Sequence, residues 1–230
     1  MSLALHWINC YAHTERRSHM EAMLGRVGYA SQRFAATEYQ RITFEPPYTK
    51  PGYACLLSHI GIQLRLATML WPKWALVGED DIEIFGVIDV EKLVADAPED
   101  ATLLQLATLS HGAYDDAPLW RPTTNGYYGT QLYLVNCERL CQVLSETGIY
   151  KHAFEYYLDH PLPHVKHGLQ VADSYIYCMH KAYLCGYPFA VSRIELGSTL
   201  HPEHLEMHEA GWNHSRLAFE KRGNPYLVGA

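Results

Sequence analysis

The sequence predicts an α/β protein with a mainly parallel central sheet and helices on both faces. Two observations predict it. Short apolar runs of strand length alternate with longer segments whose apolar residues recur at helical spacing. The chain of 230 residues, 48% of them apolar, is also long enough to bury a substantial core. No repeat, low-complexity tract or linker divides it, so a single domain over residues 1–230 is expected.

Residues 3–9 read as a first strand. Residues 15–25 read as a helix capped by Thr14, with Met20, Met23 and Leu24 on its apolar face. A second strand is expected over 30–36, then a loop broken by Pro46, Pro47 and Pro51. Leu56, Leu57, Ile60, Leu64 and Ala67 predict a helix over 53–70. Residues 74–77 form a short apolar strand, 82–85 begin another, and 90–95 suit a short helix. Further strands are expected over 102–108 and 130–135, with a polar, aromatic loop over 110–125 between them. Asn136 caps a helix ending near Gly148, and residues 150–170 read as irregular. A helix over 173–184, closed by Gly186 and Pro188, precedes a late strand over 189–194. The tail after Gly197 is polar and rich in histidine.

Composition excludes some functions. The formal charge of −7 provides no basic field for nucleic acid, and no apolar run reaches membrane-spanning length. The first residues lack the basic and apolar regions of a signal peptide, and none of the six cysteines forms a Cys-x-x-Cys pair. Reduced thiols in a cytoplasmic protein are the expectation, with a peripheral position at the inner face of a membrane left open.

The most informative stretch is the strand over 74–77, which leads into Glu79-Asp80-Asp81. Clustered carboxylates repel and raise one another's pKa, a penalty that a divalent cation removes. Mg²⁺ and Mn²⁺ take oxygen ligands, commonly one or two carboxylates together with substrate phosphates. Open α/β sheets place ligands at strand carboxyl ends. The triplet therefore reads as a metal–diphosphate site, with Asp81 the first choice of ligand and Asp80 or Glu79 contacting the donor or a metal-bound water. A solvated turn is the plainer alternative. Ser58 and His59 precede the triplet on a helix; being adjacent, they do not face each other as a nucleophile pair. His59 either reaches the acids or joins helix to sheet as a buried side chain.

Four segments together resemble glycosyltransferase family 25, the lipooligosaccharide and collagen-type sugar transferases. They are Ile8-Asn9 with Glu15-Arg16-Arg17, then Arg33-Phe34-Ala35-Ala36, then the stretch from Gly52 to His59 followed by Glu79-Asp80-Asp81, and last the run from Gly129 to Val135. Asp173 resembles the acidic residue that follows, and Gly197-Ser198-Thr199 the terminal motif. The chain departs from the pattern at Tyr11-Ala12, at Ala54 and at Gly78, where the missing bulky side chain predicts a looser strand end.

The resemblance implies a GT-A, Rossmann-like fold and inverting, Mn²⁺-dependent (or Mg²⁺-dependent) transfer of a hexose. The donor would be UDP-galactose or UDP-glucose and the acceptor a glycan or glycoprotein hydroxyl, as in lipopolysaccharide biosynthesis. Residues 1–110 would bind the nucleotide sugar and 111–230 would form the acceptor side. Asn9 and one of Arg16 and Arg17 would hold the nucleotide, with Ser58, His59, Glu79 and Asp80 also on the donor side. Asp81, Asp80 and, as an additional ligand, His201 would hold the metal. Asp173 would be the catalytic base or else a helix cap, with Asp115, Asp116, Glu155 and Asp159 also open. The aromatic loop between Tyr114 and Tyr128, with Trp120, offers surfaces for an acceptor sugar. A metal-dependent hydrolase using the acids and the tail histidines, or a non-catalytic nucleotide- or sugar-binding module, are the competing readings.

Overall fold

The structure, a computed structural model, describes residues 4–68, 73–110, 112–115, 118–123, 128–165, 169–196 and 205–228. In chain order its elements are β1 (Ala4–Asn9), α1 (Thr14–Val27), β2 (Ala30–Ala35), α2 (Lys50–Ala67), β3 (Trp74–Glu79), β4 (Ile82–Ile84), β5 (Val87–Ile88), α3 (Val90–Ala95) and β6 (Leu103–Gln105). There follow β7 (Trp120–Pro122), β8 (Leu132–Asn136), α4 (Cys137–Glu146), α5 (Tyr156–Asp159), α6 (Ala172–Met179), β9 (Ala182–Cys185), β10 (Ala190–Ser192), α7 (Leu205–Arg222) and β11 (Leu227–Val228).

Seven strands form the main sheet in the order β2-β1-β3-β8-β6-β9-β7. Five point the same way, and β8 and β7 run against them. Side chains alternate across this sheet because the strand repeat is two residues. Leu5, Trp7, Leu76, Leu104 and Leu134 pack on one face with Met20 and Leu24 of α1 and Leu93 of α3. Ile8, Val77, Leu103, Tyr133 and Val135 pack on the other against Leu57 and Ile60 of α2, Leu140 of α4 and Ile176 of α6. Helices therefore cover both faces. Among the described residues no helix is long and apolar enough to cross a membrane.

Local chemistry accounts for several boundaries. α2 begins three residues before the expected start because the Thr49 hydroxyl caps it, accepting from the Gly52 N–H at 3.1 Å. Pro51 lies in the first turn, where its missing N–H costs nothing. Thr14 is the first helical residue of α1 and does not cap it; His13 holds the cap position without a side-chain bond. β3 runs on through Glu79. The looser end predicted at Gly78 is absent: a Cβ there would lie 3.1 Å from Ile82 Cδ1 and 3.2 Å from the Gln131 carbonyl, so neighbours occupy the space.

Three expectations are corrected. The helix predicted over 173–184 stops at Met179, and Ala182–Cys185 is a strand parallel to β6. The break follows from His180, whose buried ring bridges Thr102 Oγ1 (3.0 Å) and Gln63 Oε1 (3.1 Å) and turns the chain into the sheet. Within the polar loop expected over 110–125, Trp120–Pro122 pairs with β9 as an edge strand. In the histidine-rich tail, Leu205–Arg222 forms an 18-residue helix, which packs through Gly211 and Ser215.

Candidate functional site

The carboxyl ends of β1, β2 and β3 and the first half of α2 enclose a cleft of about 330 Å³. Its wall includes Cys10 and His13 from the β1–α1 loop, Arg16 of α1, and Thr37 to Gln40 after β2. Cys55, Ser58 and His59 of α2 face Glu79 and Asp80 at the end of β3. Tyr39 is about half exposed at this wall.

The structure divides the acid triplet among three environments. Asp80 is buried and its two oxygens are already engaged: Asn9 Nδ2 donates to Oδ2 at 2.6 Å and Arg16 Nη1 to Oδ1 at 2.9 Å. Arg33 Nε in turn donates to Asn9 Oδ1 at 2.9 Å, so a polar chain runs from β2 through β1 and β3 to α1. Asp80, expected among the metal ligands, is thus committed to internal bonds.

Glu79 turns toward α2. Thr130 Oγ1 donates to its Oε1 at 2.6 Å, and His59 Nε2 lies 3.5 Å from the same oxygen. Burial pushes the Glu79 carboxyl up, but His59, Thr130 and Arg16 outweigh burial and hold it below its ordinary value. Asp81 has no such compensation. Among the described residues its buried Oδ1 has no hydrogen-bond partner, and Arg16 Nη1 lies 3.5 Å from its Oδ2. Burial, then the Glu79 charge and more weakly Asp80, push it up to about 7 against the pull of Arg16. A buried oxygen lacking a partner beside two further carboxylates suits a divalent cation, so this donor set fits the expected metal.

Of the two arginines, Arg16 faces the cleft. Its guanidinium stays charged because Asp81 and Asp80 offset its burial, and it also donates to the Leu196 carbonyl. The structure does not bring Arg17 to the site; that side chain is half exposed and pairs with Glu21 at 2.9 Å. Ser58 serves the backbone: it donates to the Ala54 carbonyl and accepts from the Thr37 N–H, both at 2.8 Å. That holds the segment after β2 against α2. His59 is fully buried and meets Glu79 while its Nδ1 bonds Tyr133 Oη at 3.0 Å, so it does both things expected of it.

Asp173 lies in the first turn of α6, whose cap position belongs to Val171, and it is not among the residues lining the cleft. Its Oδ2 accepts from the Gly129 N–H at 3.2 Å and its Oδ1 from the Ser174 N–H at 2.7 Å. Tyr177 and Gln105 donate to the Gly129 carbonyl at 2.5 and 3.1 Å. Gly129 needs its φ of +99°, and a Cβ would fall 2.1 Å from the Gln131 side chain. The fixed Gly129 peptide positions Thr130, and Thr130 positions Glu79.

Asp115, Glu155 and Asp159 are exposed and away from the cleft; Asp159 bonds Thr43 at 2.7 Å. Tyr114 is a buried anchor stacked on His214, and Tyr128 is exposed. His201, Asp116 and Gly197-Ser198-Thr199 lie outside the described residues. Cys55, Arg33, Thr130 and Tyr133 received no role from the sequence. All four lie within the segments that carry the family resemblance, which was the available signal.

No protein-family model matches the sequence, and no match is found among curated proteins. Solved structures show distant similarity. A glycosyltransferase involved in glycosylation of the major capsid of PBCV-1 aligns at 12% identity and a TM-score of 0.37, over 89% of this chain and 99% of that one. Mouse xyloside xylosyltransferase 1 aligns at 9% identity and 0.41, over 78% and 81%. The glycosyltransferase GlyE of Streptococcus pneumoniae TIGR4 aligns at 10% identity and 0.35, over 69% and 42%.

Proposed function

We propose that the chain is a GT-A-type, metal-dependent glycosyltransferase that moves a hexose, with inversion, from a UDP-sugar to a glycan or glycoprotein hydroxyl. The observation that carries this reading is the orphaned, buried Oδ1 of Asp81, placed beside two carboxylates that line a cleft at strand carboxyl ends. Asp81 would hold Mn²⁺ or Mg²⁺, a Lewis acid that stabilises charge developing on a departing diphosphate.

The remaining roles belong to the chain itself. The α1 N-terminus lacks a side-chain cap and opens onto the cleft through His13, an arrangement suited to phosphate oxygens. Arg16 adds fixed positive charge there. Tyr39 offers a flat apolar face to a nucleobase. Asn9 and Asp80 hold the end of β3 in place, and Glu79 presents a charged acceptor to the sugar or ribose. Asp173 is the proposed base. Its substitution by Asn keeps an oxygen for one of the two backbone N–H groups, sets an amide NH2 against the other and removes the proton acceptor, so turnover should fall more than donor affinity.

A screen of nucleotide sugars for Mn²⁺-stimulated release of nucleoside diphosphate, read by mass spectrometry, tests the activity. Release that disappears in Asp81→Asn supports the transferase. Tight, metal-enhanced UDP binding without turnover on any acceptor would replace it with a donor-binding module.

A further inference from the structure

We infer that Cys55, His59 and Glu79 form a second cation site in the cleft, one selective for a thiolate-binding divalent ion such as Zn²⁺. This rests on the geometry of α2 and β3, not on the transferase reading. Cys55 and His59 are one helical turn apart and project on the same side of α2. With Glu79 they bring a sulfur, an imidazole nitrogen and a carboxylate oxygen within 4.8 Å of one another. A tetrahedral Zn²⁺ with bonds of about 2.0–2.3 Å needs ligand atoms roughly 3.3–3.6 Å apart. The His59–Glu79 separation of 3.5 Å already meets this. A side-chain rotation of Cys55 closes the remainder.

The second observation is His59 Nε2. The ring is fully buried, and among the described residues this nitrogen has no partner closer than Glu79 Oε1 at 3.5 Å. Tyr133 Oη holds Nδ1 at 3.0 Å, and Nε2 lies 3.5 Å from Glu79 Oε1. A cation seated between this nitrogen and the carboxylate oxygen would satisfy both. The supporting contacts match those of metal sites: Tyr133 fixes the imidazole and Thr130 fixes the carboxylate. Sulfur and imidazole favour Zn²⁺ over Mg²⁺ or Mn²⁺. All three residues line the cleft, so the fourth coordination position would face it, as in sites where zinc receives water or a ligand oxygen. On coordination the Cys55 thiol releases its proton to solvent.

Co²⁺ titrated into chelator-treated protein is the test. One equivalent should produce a sulfur-to-cobalt charge-transfer band that Zn²⁺ abolishes. Cys55→Ser should remove the band with the fold intact by circular dichroism, and Tyr133→Phe should weaken binding about tenfold. Asp81→Asn should retain the band, which separates this site from the proposed diphosphate metal whether or not transfer is ever observed. A wild-type protein without a thiolate band would overturn the site. So would a band that survives in Cys55→Ser or is lost in Asp81→Asn.

Discussion

Arg16 and Asp80 form a buried ion pair of 2.9 Å that ties the start of α1 to the end of β3. Removing one partner of such a pair strands the other charge. Arg16→Met should cost about 3–5 kcal/mol in urea unfolding. Arg17→Met, which removes an exposed pair with Glu21, should stay within about 0.5 kcal/mol. Equal losses in the two variants would contradict the placement of Arg16.

Asp81 should limit stability in the absence of metal. Its folded pKa, pushed up to about 7, exceeds its ordinary value of 3.8, so the native state binds the extra proton across that window. The sign follows: this residue's contribution becomes unfavourable as pH rises from about 4 to 7. Asp81→Asn should therefore gain on the order of 2–4 kcal/mol at pH 7.5 and little at pH 4, while losing transfer. Chemical denaturation of both proteins at the two pH values, with a chelator present, measures it.

His180 works in the opposite direction. Burial lowers its pKa to about 3 from 6.5. The unfolded chain takes up a proton between those values and the folded chain does not, so stability falls as pH drops from about 6.5 toward 3. The slope from this one group approaches about 1.4 kcal/mol per pH unit. In His180→Gln the dependence between pH 6 and 5 should flatten by about 1 kcal/mol per unit, read from urea midpoints.

Gly129 sets the position of Thr130, and through it Glu79. Gly129→Ala combines an unfavourable φ with a contact at 2.1 Å. It should cost about 1–3 kcal/mol and weaken Co²⁺ binding at Cys55, His59 and Glu79. Unchanged melting and metal titration would show that the loop tolerates a side chain.

Where one physical signal dominated, the sequence was readable. The alternation of Leu5 and Trp7 marks β1, and the helical spacing of Leu57, Ile60 and Leu64 marks α2, whose start the Thr49 cap sets three residues early. Asn136 announced α4 as a cap, and its side chain accepts from Glu138 and Arg139 N–H. β9 was not readable, because the apolar run after Asp173 suits a helix until His180 finds partners 78 and 117 residues away. Among its described side chains α7 shows no continuous apolar stripe; it packs by small residues and the rings of His214 and Phe219, and Gly211 lets the helix approach so closely that a Cβ would lie 2.8 Å from the Leu109 carbonyl. In the site, the acids and His59 stood out as residue types in an unusual place. Which carboxylate would be neutralised depended on Asn9 and Arg16; Tyr133 acquires meaning only from the reversed strand that carries it, and Thr130 from the segment just before that strand.

That reversal has a cost during synthesis. β8 fills the slot beside β3, yet it leaves the ribosome about fifty residues later. Until then the nascent chain displays an unpaired edge of Ala75, Leu76 and Val77, a ready template for aggregation. Prematurely terminated chains ending before Leu132 should accumulate in inclusion bodies, and chaperone demand should be greatest while that edge waits for its neighbour.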